Sequence, residues 1–445
     1  MWTDFDCRKL NAYKAHVYLE RSKSSPINLR LHEGGHLSPR NPFLKIVPHA
    51  IDRLKSLVVY ATPWNLPAIT THLSRPAPLL EYLSINGNYE FKPHRNPVLP
   101  AALFDGDLPS LRELYLRSVR TELPWRNMIN LTSFDLFRMK PDDVSIKQLL
   151  DFFESAPRVR KIKLFFATPT SGAQNDRLVS LACLEKMDII GDEPPSLLLD
   201  HLIIPVGARL TTQAGSHGFL IEGHLPRSLE NLRNLPSFTK IRLNFYEFSP
   251  CVRFSGPNGR VRMLITPRGN TTWLVLESLA RFDTSKTERL RIDHGNSPSS
   301  DPLYRALLPM QHLRTLTLSQ CTSPNIFIHA LDPNISSSGI VVCPELEELI
   351  LVLRVDGERL DIKNVIEMAA ARASRGAKLK SVRIVDLDSE APSPLLDLGG
   401  DPVYVNRGKS TRIDASEIKK HVLHVEYGPE IDTADGHSDS SEEED

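Results

Sequence analysis

Three short patterns in this 445-residue chain carry residue types that do chemistry elsewhere. His32-Glu-Gly-Gly-His36 has the letters of H-E-x-x-H, in which two histidines on one helical face hold zinc and the glutamate acts as base. Here two glycines fill the middle, Ile27–Leu31 before it reads as a strand, and Pro39 follows, so the expectation is a glycine turn. His421-x-x-His424 lies beside a terminal strand candidate without a cysteine nearby and reads as a surface or edge pair. Arg407-Gly-Lys-Ser410 resembles the end of a phosphate-binding loop, but Val403 stands where that loop needs glycine. Gly215-Ser-His-Gly218 is not the G-x-S-x-G elbow. The reading is therefore non-catalytic, with no metal site and no cofactor.

The chemistry of recognition is better represented. Tyr60, Tyr82, Tyr115 and Phe137 flank early copies of a short apolar pattern, L-x-x-L-x-L. Lys161, Lys163, Lys186, Lys240, Arg242, Arg289 and Arg291 flank the middle copies, and Thr315, Thr317, Ser319 and Ser381 the late ones. Aromatic and arginine side chains are frequent binding anchors. Closely spaced bases favour an acidic or phosphorylated segment. The expectation is an aromatic stretch leading into a basic one, facing a protein substrate; an ordinary solvated face carries such charges as well.

The pattern that spaces these residues recurs along the body. Copies run Leu54–Val59, Leu80–Ile85, Leu111–Leu116, Leu131–Leu136, Val159–Leu164, Leu184–Ile189, Phe238–Leu243, Leu313–Leu318, Leu346–Leu351 and Leu379–Ile384, with partial copies at Ile27–Leu31, Thr287–Ile292 and near Leu423–Val425. Adjacent copies lie roughly 20 to 33 residues apart, the period of leucine-rich repeats. Leucine makes up 62 of the 445 residues, which suits such an array. Each L-x-L core is a short strand with alternate side chains inward, and stacked parallel strands share one core. The predicted fold is thus α/β: an open right-handed arc, parallel strands on its concave face and helices outside. Asp143–Ala156 reads as a helix from the spacing of Ile146, Leu149, Leu150 and Phe153, stopped by Pro157; Ile362–Ala373 reads likewise, with Gly376 as its stop. Leu210–Thr212 is a weak strand candidate. Residues 251–264, two alternating runs around Pro257-Asn258-Gly259, read as a β-hairpin insertion, and 386–416 as a loop.

The formal net charge is zero, from 54 bases and 54 acids. Residues 428–445 hold eight acids and no Lys or Arg, which leaves 46 acids against 54 bases, or +8, for residues 1–427. The tail reads as disordered, either free or folded back on the basic stretch; the mild positive charge of the body is too weak to argue for nucleic acid as partner. Five scattered cysteines fit a reducing compartment, cytoplasmic or nuclear. No apolar run approaches a membrane span. The domain reading is one leucine-rich-repeat domain over 1–427 and the tail.

Several segments go beyond this pattern. Leu80–Ile85, Val144–Pro157, Pro169–Leu181, Leu197–Gly207, Phe254–Arg260 and Thr271–Asp283 resemble the F-box and leucine-rich-repeat proteins expanded in mushroom-forming fungi. The opening Trp2-Thr-Asp-Phe5 resembles the end of their F-box region, and the F-box itself is expected upstream of Met1. The resemblance implies the substrate-recognition part of an SCF-type ubiquitin ligase adaptor, with Skp1 as partner only if an upstream F-box exists. The alternative is a stand-alone protein-interaction scaffold without a ligase link.

Overall fold

Alternating apolar residues give a strand one face to bury, and it is at the L-x-L cores that strands form. The structure, a computed structural model, describes residues 3–427 except 9, 11, 33–43, 45–46, 63–64, 88–96, 101–102, 122–127, 139–143, 167–176, 192, 215–220, 234–237, 246–250, 258, 265–271, 280–281, 296–298, 336–338, 354–359 and 387–423. The chain is α/β with mostly parallel strand pairing. It divides into two compact units, Met1–Leu235 with Asn258–Thr266, and Pro236–Pro257 with Pro267–Asp445.

The sheet of the first unit contains β1 (Asp4–Asp6), β2 (Ile27–His32), β3 (Leu54–Tyr60), β4 (Tyr82–Asn86), β5 (Glu113–Arg117), β6 (Ser133–Phe137), β7 (Lys161–Phe165), β8 (Lys186–Gly191), β9 (Arg209–Ala214) and β12 (Gly259–Leu264). Each pairs in parallel with the next of these. The register sets Leu57, Leu83, Leu114, Phe134, Ile162, Met187, Leu210 and Val261 in one buried line. Val59, Ile85, Leu116, Leu136, Leu164, Ile189, Thr212 and Met263 form a second. Thr212 is tolerated there because its hydroxyl is hydrogen-bonded to His224 Nδ1 at 3.1 Å.

The same two turns bracket successive strands. Before the strand, a buried apolar N–H closes a tight turn: Leu80 donates to Ala77, Leu111 to Leu108, Leu131 to Met128, Val159 to Ala156 and Leu184 to Leu181. After it, Ser118, Arg138 and Phe166 adopt φ of 52°, 54° and 49°. Their N–H groups donate to carbonyls in the last two residues of the following strands, Phe137, Phe165 and Ile190. That bond holds a left-handed backbone that non-glycine residues seldom adopt. Between β6 and β7 lies α2 (Ile146–Ser155); α1 (Ala12–Ser22) precedes β2. Ser145 and Gln148 form a reciprocal capping box at the start of α2, and its buried Phe152 packs 4.2 Å from Phe134, centroid to centroid.

In the second unit, β10 (Lys240–Asn244) pairs antiparallel with β11 (Cys251–Gly256) and parallel with β13 (Arg289–Asp293). Parallel pairing continues through β14 (Thr315–Ser319), β15 (Glu348–Leu353), β16 (Ser381–Asp386) and β17 (His424–Tyr427). The helices are α3 (Thr272–Leu279), α4 (Asp301–Leu307), α5 (Pro324–Leu331) and α6 (Ile362–Ser374). Asp361 caps α6 by accepting from the Lys363 N–H, and Gly376, at φ +83°, ends it with its N–H on the Ala373 carbonyl. Inside this unit Arg372 is fully buried and donates to the carbonyls of Val342 (2.8 Å) and Cys343 (2.7 Å). The left-handed strand exit recurs at His294 and Gln320, with φ of 56° and 54°.

Strands flank Pro257-Asn258, where the sequence predicts a hairpin insertion. Each of them takes a place beside a main-sheet strand, β11 next to β10 and β12 next to β9. All but the first residue of the 386–416 loop, and the whole 428–445 tail, lie outside the described residues. Among the described residues no helix is long and apolar enough to cross a membrane.

Candidate functional site

From β2 to β16, each strand with an L-x-L core buries those side chains and turns the intervening residues to the opposite face. In the first unit these face residues align in three lines across β3–β9 and β12. The first holds Tyr82, Glu113, Ser133, Lys161, Lys186, Arg209 and Arg260. The second holds Ser84, Tyr115, Asp135, Lys163, Asp188, Thr211 and Arg262. The third holds Tyr60, Asn86, Arg117, Phe137, Phe165, Ile190 and Gln213.

The four aromatics expected to form one stretch fall in three groups. Tyr82 and Tyr115 meet, with ring centroids 5.3 Å apart. Tyr60 instead stacks on His32 at 4.4 Å, with the rings 14° from parallel. Phe137 stacks on Phe165 at 5.5 Å, with the Arg117 guanidinium 4.6 Å from its centroid. The Tyr115 hydroxyl donates to Glu113 Oε2 at 2.9 Å. Burial and that carboxylate push the hydroxyl above its ordinary titration range.

The predicted bases are joined by acids. Lys163 Nζ stands 3.9 Å from Asp135 Oδ2, and Lys186 Nζ 3.5 Å from Asp188 Oδ2. Asp135 Oδ1 is buried without a hydrogen-bond partner among the described residues. Burial, reinforced by the negative charges of Asp188 and Glu113, pushes its carboxyl from 3.8 to about 6 against the opposing pull of Lys163. Lys161 shares the first line with Lys186, Arg209 and Arg260.

In the second unit Lys240 and Arg289 lie opposite each other, as do Arg242 and Arg291. Asp293 bridges the latter pair: its Oδ2 accepts from Arg242 Nε and its Oδ1 from Arg291 Nε, each at 2.8 Å. Arg253, on β11, lies opposite Arg242 and extends the line.

Sequence reasoning singled out aromatics and bases and missed Glu113, Asp135, Asp188, Asp293, Arg209, Arg253, Arg260 and Arg262. The signal was present. Asp135 and Asp188 fill the central x of their L-x-L cores, the slot that Lys163 fills in its own. Of the catalytic patterns, His32 is the last residue of a strand. Residues Glu33–His36, Arg407–Ser410, Gly215–Gly218 and His421 lie outside the described residues. Burial pushes the Cys321 and Cys343 thiols up to about 12, which makes them poor nucleophiles. The faces thus carry aromatic contacts and paired charges. No family model matches this sequence, and no curated protein matches it either.

Proposed function

We propose that the chain is a leucine-rich-repeat solenoid, an open right-handed arc with its strands on the concave face and its helices outside, and that this face binds a protein partner without catalysis. The observation that carries the reading is the register. Parallel strand after parallel strand places the same two L-x-L positions in the core and the same three positions on the other face, within each unit. A row of rigid strands that presents half-buried tyrosines and charged groups at fixed spacing is suited to hold a polypeptide. We further infer that the partner is a substrate selected for an SCF-type ubiquitin ligase, in the cytoplasm or the nucleus. The support for this step is the likeness of Leu80–Ile85, Val144–Pro157 and the other segments to F-box and leucine-rich-repeat proteins.

Affinity capture of the tagged protein from its own cells tests both steps. Replacing Tyr82 and Tyr115 by alanine should remove the captured partner while the melting temperature is kept. Retention of the same partner at native yield would refute the binding face. Skp1 and a cullin should elute with the product of the intact gene; their absence, with the partner retained, would leave a stand-alone scaffold.

A further inference from the structure

The face of β4, β5 and β6 carries rings and carboxylates at fixed places. By register its first two lines hold Tyr82, Glu113 and Ser133, then Ser84, Tyr115 and Asp135. Each of the six is partly buried. The tyrosines lie on one diagonal and the acids on the next, so Tyr82 is opposite Glu113 and Tyr115 is opposite Asp135. At strand spacings of about 5 Å and a rise of about 3.3 Å per residue, the four positions fall within about 12 Å. Two acids and no base give the six positions a formal charge of −2. Towards β3 the matching positions are Ser56 and Val58, which carry no charge. Towards β7 they are Lys161 and Lys163. Lys163 approaches Asp135 Oδ2 to 3.9 Å and offsets part of the charge. The offset is incomplete. Asp135 Oδ1 is buried without a hydrogen-bond partner among the described residues, and burial holds the carboxyl at about 6 despite the pull of both lysines.

We propose that Tyr82, Tyr115, Glu113 and Asp135 form a receptor for an arginine side chain of the protein partner. A guanidinium is planar, stacks on aromatic faces and donates pairs of hydrogen bonds to carboxylates. The ring pair, with centroids 5.3 Å apart, supplies the stacking surface. The bond from the Tyr115 hydroxyl to Glu113 Oε2 ties one of those rings to a carboxylate. An ammonium fits less well, because it is compact, more strongly hydrated and loses more water on entering a partly buried site. An acidic side chain would meet two like charges. The bound guanidinium also gives Asp135 a charge partner on its Tyr115 side, across from Lys163. The inference rests on the reading of this face as a binding surface and is independent of the ligase link.

The test uses the full chain at neutral pH and a fluorescent degenerate peptide library with one fixed arginine, its other positions free of lysine and arginine. Anisotropy should show this library binding about tenfold more tightly than the same library with citrulline, which keeps the shape but not the charge. Glu113→Gln, which keeps an acceptor for the Tyr115 hydroxyl, should lower that affinity about tenfold at an unchanged melting temperature. Asp135→Asn should lower it as well while raising stability, opposite signs that a merely structural role would not give. Equal binding of the two libraries would overturn the proposal. So would native affinity in folded Glu113→Gln and Asp135→Asn, or a fixed-lysine or fixed-glutamate library binding as tightly as the arginine one. A captured partner that survives both substitutions together but not the loss of Tyr82 and Tyr115 would overturn this inference and leave the binding face standing.

Discussion

Asp135→Asn should stabilise the protein at neutral pH and leave it unchanged in acid. The carboxyl sits on the second face line between Tyr115 and Lys163, with its side chain 18% exposed and Oδ1 buried without a partner among the described residues. Its folded value of about 6 lies above the ordinary 3.8, so the native state binds the proton more readily than the unfolded chain. Stability therefore falls as pH rises from about 4 through 6, and the full cost is present above that. The difference corresponds to about 3 kcal/mol at 1.36 kcal/mol per pH unit. Asparagine keeps the shape and removes the charge. The pull of Lys163 is already contained in that difference, but the amide that replaces the carboxylate is itself buried, which costs about 1 kcal/mol.

The expected net gain is about 2 kcal/mol at pH 7.5, shrinking towards zero near pH 4. Urea unfolding at the two pH values measures it. Hydrogen exchange of residues 133–137 assigns the change to the sheet that holds Asp135. Equal or lower stability of the variant at pH 7.5 would refute the reasoning. So would a native protein whose stability does not fall between pH 4 and 6.

Other perturbations follow from single contacts. Arg372→Leu removes both donors to the buried Val342 and Cys343 carbonyls and should cost about 2–5 kcal/mol in urea unfolding; Arg372→Lys should recover only part, since one ammonium replaces a fork. Gly87→Ala drives a Cβ into the Ser118 carbonyl oxygen and should lower stability by about 1–3 kcal/mol, read as a lower thermal midpoint. In thiol labelling at pH 8 the exposed Cys183 should react first, while Cys321 and Cys343, pushed up to about 12, should react only on unfolding.

The strand positions were legible because alternation is a local signal. Every L-x-L core that the sequence predicts lies in a strand, and Ile27–Leu31, Thr287–Ile292 and the stretch near Leu423–Val425 meet strands as well. The Leu210–Thr212 strand reads weakly because a threonine fills its second inward slot, and only the His224 contact explains it. The left-handed exits were illegible. Ser118, Arg138, Phe166, His294 and Gln320 have nothing of glycine about them, and their φ values follow from bonds to the next strand. The face was half legible. Which residues turn away from the core follows from period two, but which of three lines a residue joins depends on register. Tyr60 and Phe137 sit two residues beyond Tyr115's line, so rings that look consecutive in the chain stand apart on the sheet.

The missed acids change what the first unit can select. A purely acidic segment laid across β5–β8 would meet Glu113, Asp135 and Asp188 as well as Lys161, Lys163 and Lys186. Two of those lysines already stand beside carboxylates. Attraction and repulsion would then largely cancel, and like-charge contacts are how an interface rejects a wrong partner. A segment that carries donors as well as acids could pair with both signs. This reasoning gives Asp135→Asn a second readout, separate from stability. The variant should bind an all-glutamate probe peptide more tightly than the native protein does at neutral pH, and the difference should shrink near pH 4, where Asp135 of the folded protein is protonated. If the probe binds both forms alike at every pH, the acids on this face do not filter its partners.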